Sequence, residues 1–215
     1  MTFDLVFPVQ GEALPVDHAY PLYAALSRVV PAFHDPAACL RFAPIGGPPF
    51  DRGRLQLTPR SRLRVRLPQE RVGDVLLLAG KWLEVDGHAV RLETPFVSAL
   101  EPAVALSARL VVFKCSARGD KGKNRRYTEA EPFLEAARAR VTALGIGGEV
   151  TVPVKASGPR GGEPVRRVVR VKGRAIVGFG VMVEGLTAGE SIRLQEQGLG
   201  GRTRLGCGFF LPVRG

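Results

Sequence analysis

The chain has 215 residues, of which 45% are hydrophobic and 24% charged, with a formal net charge of +11 and an isoelectric point near 10.4. This composition excludes a disordered chain, and no apolar run approaches the roughly 18 residues of a membrane helix. The positive balance points to a polyanionic partner, nucleic acid above all.

The basic residues are 25 Arg and 6 Lys. Arginine offers a planar fork for phosphate and a face for stacking on bases. A GC-rich genome also enriches arginine, but it does not account for the imbalance of charge. The start, "MTFDLVFPVQGEALP", lacks a basic n-region and a long apolar stretch, so no signal peptide is expected. Cys39, Cys115 and Cys207 are far apart and show no C-x-x-C spacing. They fit free thiols, and a cytoplasmic location is expected. No HExxH, EF-hand or Walker pattern is present, so neither a bound metal nor a cofactor is expected.

In chain order, "FDLVFPV" (3–9) alternates and predicts a strand. "HAYPLYAALSRVVPAF" (18–33) has apolar residues at Tyr20, Tyr23, Ala24, Leu26, Val30 and Phe33, the spacing of a helix on a sheet. Asp17 is its candidate N-cap, and Pro31 ends it or starts a second turn. "RGRLQLTPRSRLRVRLP" (52–68) predicts two strands around "TPRS". In the second, Leu63, Val65 and Leu67 point one way and Arg62, Arg64 and Arg66 the other. A helix is predicted over 68–83, then strands around the turn "VDGH".

That order, β-α-β-β-α-β in about 100 residues, is ferredoxin-like and shared with the RNA-recognition fold. It repeats. A strand at 108–114 leads to a polar, basic loop at 115–129 and a helix at 131–146. Next come the strand "EVTVPVK", a loop, a hairpin over 165–185 turning at "KG", and a short helix from Thr187, its candidate N-cap. "CGFFLPV" closes the chain as a strand. The expected fold is α+β: two tandem ferredoxin-like halves, 1–100 and 101–215, each an antiparallel sheet with helices on one face.

The stretch before the closing strand, "GLGGRTRLGCGFF", carries Gly198, Gly200, Gly201, Gly206 and Gly208 around Arg202 and Arg204. It lacks the Walker lysine, and its order of helix, glycines, strand is the reverse of a Rossmann fingerprint. Two readings stand. Exposed amides and two arginine forks would hold a phosphodiester backbone, or the glycines simply make a tight turn.

The pattern Gly198-Leu199-Gly200 through Gly206-Cys207-Gly208 resembles the glycine-rich loop of the RAMP superfamily. Within it, the closer likeness is to the CRISPR-RNA-processing endoribonucleases, the Cas-six family. "LPVDHAYPLYAALSRVVPAFHD" resembles that family's first strand and helix, and "DHAYPLYAALSR" resembles the subtype of myxobacterial type I systems. The resemblance implies binding of CRISPR repeat RNA and one cut per repeat of the precursor transcript. It implies a metal-independent reaction in which a 2′-OH attacks its own phosphate and leaves a 2′,3′-cyclic phosphate. A non-cleaving RAMP-type RNA-binding subunit is the alternative, and other subunits of a type I effector complex are further candidate partners.

Such a reaction needs a proton acceptor, a proton donor and stabilisation of charge on phosphorus. Histidine is the natural carrier near neutral pH. The resemblance implies roles for His34 beyond the first helix, for His18 at its start, and for the register of Tyr23 or Ser27 on its face. His34 also reads as a helix-end residue, and Tyr23 as core. His88, in the hairpin turn, reads as surface. For RNA contact the candidates are the stripe Arg60, Arg62, Arg64 and Arg66, the loop Lys121, Lys123, Arg125 and Arg126, and the glycine-rich stretch with Arg202 and Arg204.

Overall fold

The computed structural model describes residues 1–51, 53–113, 128–157 and 161–213. The chain divides into two units, Met1–Leu100 with Arg204–Gly206, and Glu101–Thr203 with Cys207–Gly215.

In the first unit β1 (Thr2–Gln10) is the central strand. Its alternation puts Phe3, Leu5, Phe7 and Val9 into one core. β5 (Arg62–Pro68) lies antiparallel beside it, with Phe3 opposite Leu67, Leu5 opposite Val65 and Phe7 opposite Leu63. Helix α1 (Ala19–Val29) covers that face with Leu22, Ala25 and Leu26, the i, i+3, i+4 stripe of an amphipathic helix. His18, not Asp17, occupies its N-cap, and its side chain makes no capping bond. Pro31 both follows the helix end at Val30 and opens a 3₁₀ turn, Pro31–His34.

Two short strands depart from the expected layout. β3 (Arg41–Ala43) pairs with the far edge of β5. β4 (Arg54–Gln56) pairs instead with β2 (Ala13–Pro15) in a separate ribbon, so the two strands around "TPRS" are not a hairpin. The expected helix over 68–83 contracts to a 3₁₀ turn, Gln69–Arg71, and five residues of α2 (Val72–Leu76). Val75 and Leu78 are buried three residues apart, as on a helix face, while Leu76 and Leu77 face out, but Gly80 at φ of 73° closes the segment. Gly73 also weakens it.

β6 (Trp82–Val85) and β7 (His88–Leu92) form the expected hairpin, with Asp86 and Gly87 at φ of 53° and 78°. Their sheet partner is only the end of β1, at Val9 and Gln10. The strand that completes the motif is β8 (Phe96–Ala99), paired with Phe3–Val6 of β1. Thus β1, α1, β3, β5, α2 and β8 make a ferredoxin-like unit, ordered fourth, first, third, second across the sheet.

The second unit repeats that order. β13 (Phe210–Pro212), β9 (Ala105–Val111), β12 (Arg174–Glu184) and β10 (Glu149–Thr151) lie side by side, and β11 (Arg166–Val171) pairs with the first half of β12. Helix α3 (Ala130–Ala143) buries Phe133, Ala137 and Val141. Phe133 packs on Phe113 and Phe179, each 4.9 Å away between ring centres. Helix α4 (Ala188–Gln197) begins at Thr187 in a reciprocal capping box with Glu190. The Glu190 carboxylate also accepts from Gly147 N at 2.7 Å, and these bonds, that from Gly147 foremost, hold its pKa down at about 2. Arg193 donates to the carbonyls of Leu144 and Gly145, so α4 is pinned to the turn after α3.

On the face of β5 opposite Leu67, Arg66 is 2% exposed and clasps Asp4 in a two-armed pair, 2.8 and 3.1 Å. Removing one member of such a pair leaves a buried charge without its partner. Asp4→Ala is therefore expected to destabilise the protein by about 3–5 kcal/mol, read from denaturant unfolding. A loss no larger than that of an exposed ion pair would show that Arg66 is solvated without Asp4.

Candidate active site

Two elements converge on one histidine. Tyr23 projects half-buried from α1, and His34 ends the 3₁₀ turn that follows. Phe33, fully buried and edge-on to Phe42 at 6.3 Å, anchors the turn in the core. His34, next in sequence, is left exposed. Tyr23 Oη and His34 Nδ1 are 3.0 Å apart, with the rings in a T-shaped contact at 5.6 Å and 86°. This bond fixes the imidazole through Nδ1. Nε2 has no partner among the described residues and can exchange a proton with a ligand.

The main chain of the same residue is held as well. Arg204 Nη1 donates to the His34 carbonyl at 2.6 Å. Arg204 lies in a 3₁₀ turn, Thr203–Leu205.

His18 is placed differently. It is fully buried, its Nδ1 is 2.7 Å from the Pro15 carbonyl, and its Nε2 accepts from Ile45 N at 3.0 Å. With Nδ1 donating and Nε2 accepting, the ring is neutral and ties three segments of backbone together. Ser27 is buried, and its Oγ has no hydrogen-bond partner among the described residues. His88 opens β7 opposite Val85, half-exposed.

The glycine-rich stretch links α4 to β13. Gly198, Gly200, Gly206 and Gly208 all have positive φ, as does Arg202 at 60°. The amides of Gly201 and Gly208 donate to Val112 O and Leu110 O, each at 2.7 Å, and Leu199 N donates to Gly208 O. These donors are thus engaged by the protein itself. A side chain at Gly208 would collide with the Leu199 backbone, which is the tight-turn reading realised at that position. Burial pushes the Cys207 thiol up to about 12, against the opposing pull of Arg202 and Arg109. Arg202 is exposed, with no hydrogen bond or ion pair among the described residues.

Of the arginine stripe, Arg60 is exposed, whereas Arg62 braces its own turn through the Pro59 and Ser61 carbonyls. Arg64 lies 3.8 Å from Asp4, and Arg66 is the buried partner of Asp4. Lys121, Lys123, Arg125 and Arg126 lie outside the described residues.

Sequence reasoning missed one feature. The β11–β12 hairpin carries Arg166, Arg167, Arg170, Lys172 and Arg174, all exposed, with no acidic residue from 164 to 183. The run "VRRVVRVKGR" held that signal, but its cations fall on both faces of the strands and make no one-sided stripe. No three His, Cys, Asp or Glu side chains come together as a metal site among the described residues. No described helix is long and apolar enough to cross a membrane.

The family described as Cas6 Crispr matches residues 3–215. A CRISPR-associated endonuclease Cas6 from Myxococcus xanthus (strain DK1622) is 40% identical over 209 residues, covering 97% of this chain and 80% of the relative. Among solved structures, the chain is similar to a CRISPR associated protein Cas6, with a TM-score of 0.65 at 11% identity over 100% of both chains. It is also similar to the product of a Cas6-related gene from Pyrococcus furiosus, with a TM-score of 0.68 at 15% identity over 99% of each. At such identities the structures speak for the fold, while the family match and the Myxococcus relative speak for descent. The chain belongs to the Cas6 family of CRISPR proteins.

Proposed function

We propose that the chain is an endoribonuclease that binds CRISPR repeat RNA and cuts the precursor transcript within each repeat. The observation that carries this reading is the Tyr23–His34 pair, an imidazole oriented through Nδ1 with Nε2 open to solvent. The Myxococcus relative, a CRISPR-associated endonuclease 40% identical to this chain, supports it.

The reaction is a transesterification. The ribose 2′-oxygen loses its proton and bonds to the adjacent phosphorus; the P–O5′ bond breaks; the departing 5′-oxygen gains a proton. The products are a 2′,3′-cyclic phosphate and a 5′-hydroxyl. His34 Nε2 carries one of the two proton transfers, and Tyr23 sets the ring's orientation. His18, with both nitrogens engaged by backbone, shapes the region without reaching RNA. Phosphate contacts fall to Arg60, Arg202 and the cations of the β11–β12 hairpin, with Lys121, Lys123, Arg125 and Arg126 as further candidates. Such contacts position RNA without reading its sequence.

The test is incubation with repeat RNA in EDTA and end-group analysis of the fragments. Cutting in EDTA with a 2′,3′-cyclic phosphate is expected. Strict dependence on Mg²⁺, or a 5′-phosphate on the downstream fragment, rules out this mechanism; tight binding without any cut favours a binding-only subunit.

A further inference from the structure

Arg204 reads from the sequence as half of a pair of phosphate forks. Its place in the fold is different. Of the stretch between α4 and β13, Arg204–Gly206 alone belongs to the first unit, the unit that holds His34. Within that unit Arg204 Nη1 meets the His34 carbonyl at 2.6 Å. That carbonyl ends a short 3₁₀ turn, where main-chain acceptors have no partner from the next turn and a cationic donor is favoured.

The guanidinium is delivered by backbone with little freedom. Leu205 is buried. Gly206 has φ of 74° and sits so close to the Pro44 ring and the Phe42 carbonyl that a Cβ would displace them. His34 is therefore held at three points: Phe33 in the core beside it, Tyr23 on its ring, and Arg204 on its carbonyl.

We propose that Arg204 is a positioning residue for the cut, acting through His34 rather than by holding RNA. The proposal rests on His34 as the proton-transfer residue. Without Arg204 the peptide after His34 keeps only the bond from Asp35 N to Ala32 O, and the imidazole is held less closely in its relation to Tyr23 and to the scissile phosphate.

The experiment compares single-turnover cleavage at saturating enzyme, RNA affinity across a salt series, and thermal stability. Arg204→Ala is expected to cut about 10²-fold more slowly, the scale of an ångström-sized misplacement. Its RNA affinity and salt slope should match the wild type, since no phosphate contact is lost. Arg204→Lys, which keeps one cationic donor, should recover part of the rate. In a His34→Ala background, Arg204→Ala should add little, because the two act as one unit. Should Arg204→Ala fail to fold, Arg204→Gln carries the same comparisons.

Weakened affinity with a flatter salt slope and a wild-type rate at saturation would assign Arg204 to phosphate and overturn the proposal. So would an equal loss in the presence and absence of His34. A slow His34→Ala beside a wild-type Arg204→Ala overturns this inference alone. A His34→Ala enzyme that cuts at the wild-type rate removes the assignment on which both readings stand.

Discussion

His34→Ala is expected to slow cleavage of repeat RNA by about 10²–10⁴-fold, the usual scale for losing a general acid or base. The affinity for RNA should change little, because the imidazole is given a proton to move and no phosphate to hold. The turn itself should survive: Phe33 anchors it, and its internal bonds, Phe33 N to Val30 O and Asp35 N to Ala32 O, are main-chain. His18→Ala is the informative contrast. It orphans the Pro15 carbonyl and the Ile45 amide, so it should cost roughly 1–3 kcal/mol of stability and leave the folded fraction cutting near the wild-type rate. The measurement is the single-turnover rate per folded molecule. If His34→Ala keeps the wild-type rate and His18→Ala does not, the two histidines have been assigned the wrong way round.

A 2′-deoxy substitution at the nucleotide upstream of the cut should abolish cleavage altogether. The substitution removes the nucleophile while leaving every phosphate in place. Since phosphate contacts dominate the affinity of nucleic-acid binders, the deoxy substrate should still bind and should compete with the all-ribose substrate. Continued cutting of the deoxy substrate would mean that water or another group attacks phosphorus, and the cyclic product would be lost with it. The substrate tests the chemistry and the mutant tests which residue performs it. An inert deoxy substrate beside an active His34→Ala enzyme would keep the reaction and send the search to Tyr23.

The elements that were legible in the sequence are those whose pattern is local. β1 and β5 alternate over seven residues or more, and Thr187 with Glu190 spells a capping box. β3 and β8 escaped because strands of three and four residues carry too little periodicity to stand out. β3, not β4, is the second strand of the motif, since nothing local tells which partner a three-residue strand will find. The site follows the same rule. His34 is a candidate by residue type and by likeness to a family, but its bond to Tyr23, eleven residues earlier, depends on how the turn at Pro31 folds back. The pairing of Arg66 with Asp4 is set by register across a sheet, 62 positions apart in sequence. Both His18 and His34 are candidates in the sequence; burial and the two backbone bonds at its ring set His18 apart.

The connection from α4 to β13 has the composition of a loop, and loops are where proteins usually accept added or lost residues. This one is tied at both ends and in the middle. Gly198 caps α4 through its bond to Leu194, Arg204 and Gly206 are seated in the first unit, and Phe210 is fixed opposite Ala108. Because side chains on a strand alternate, one residue more or fewer after Gly206 would turn Phe210 out of the core and Leu211 into it. The length of this segment is thus under as strict a physical constraint as the sequence of a core strand, and homologous chains should vary here by substitution and not by insertion or deletion.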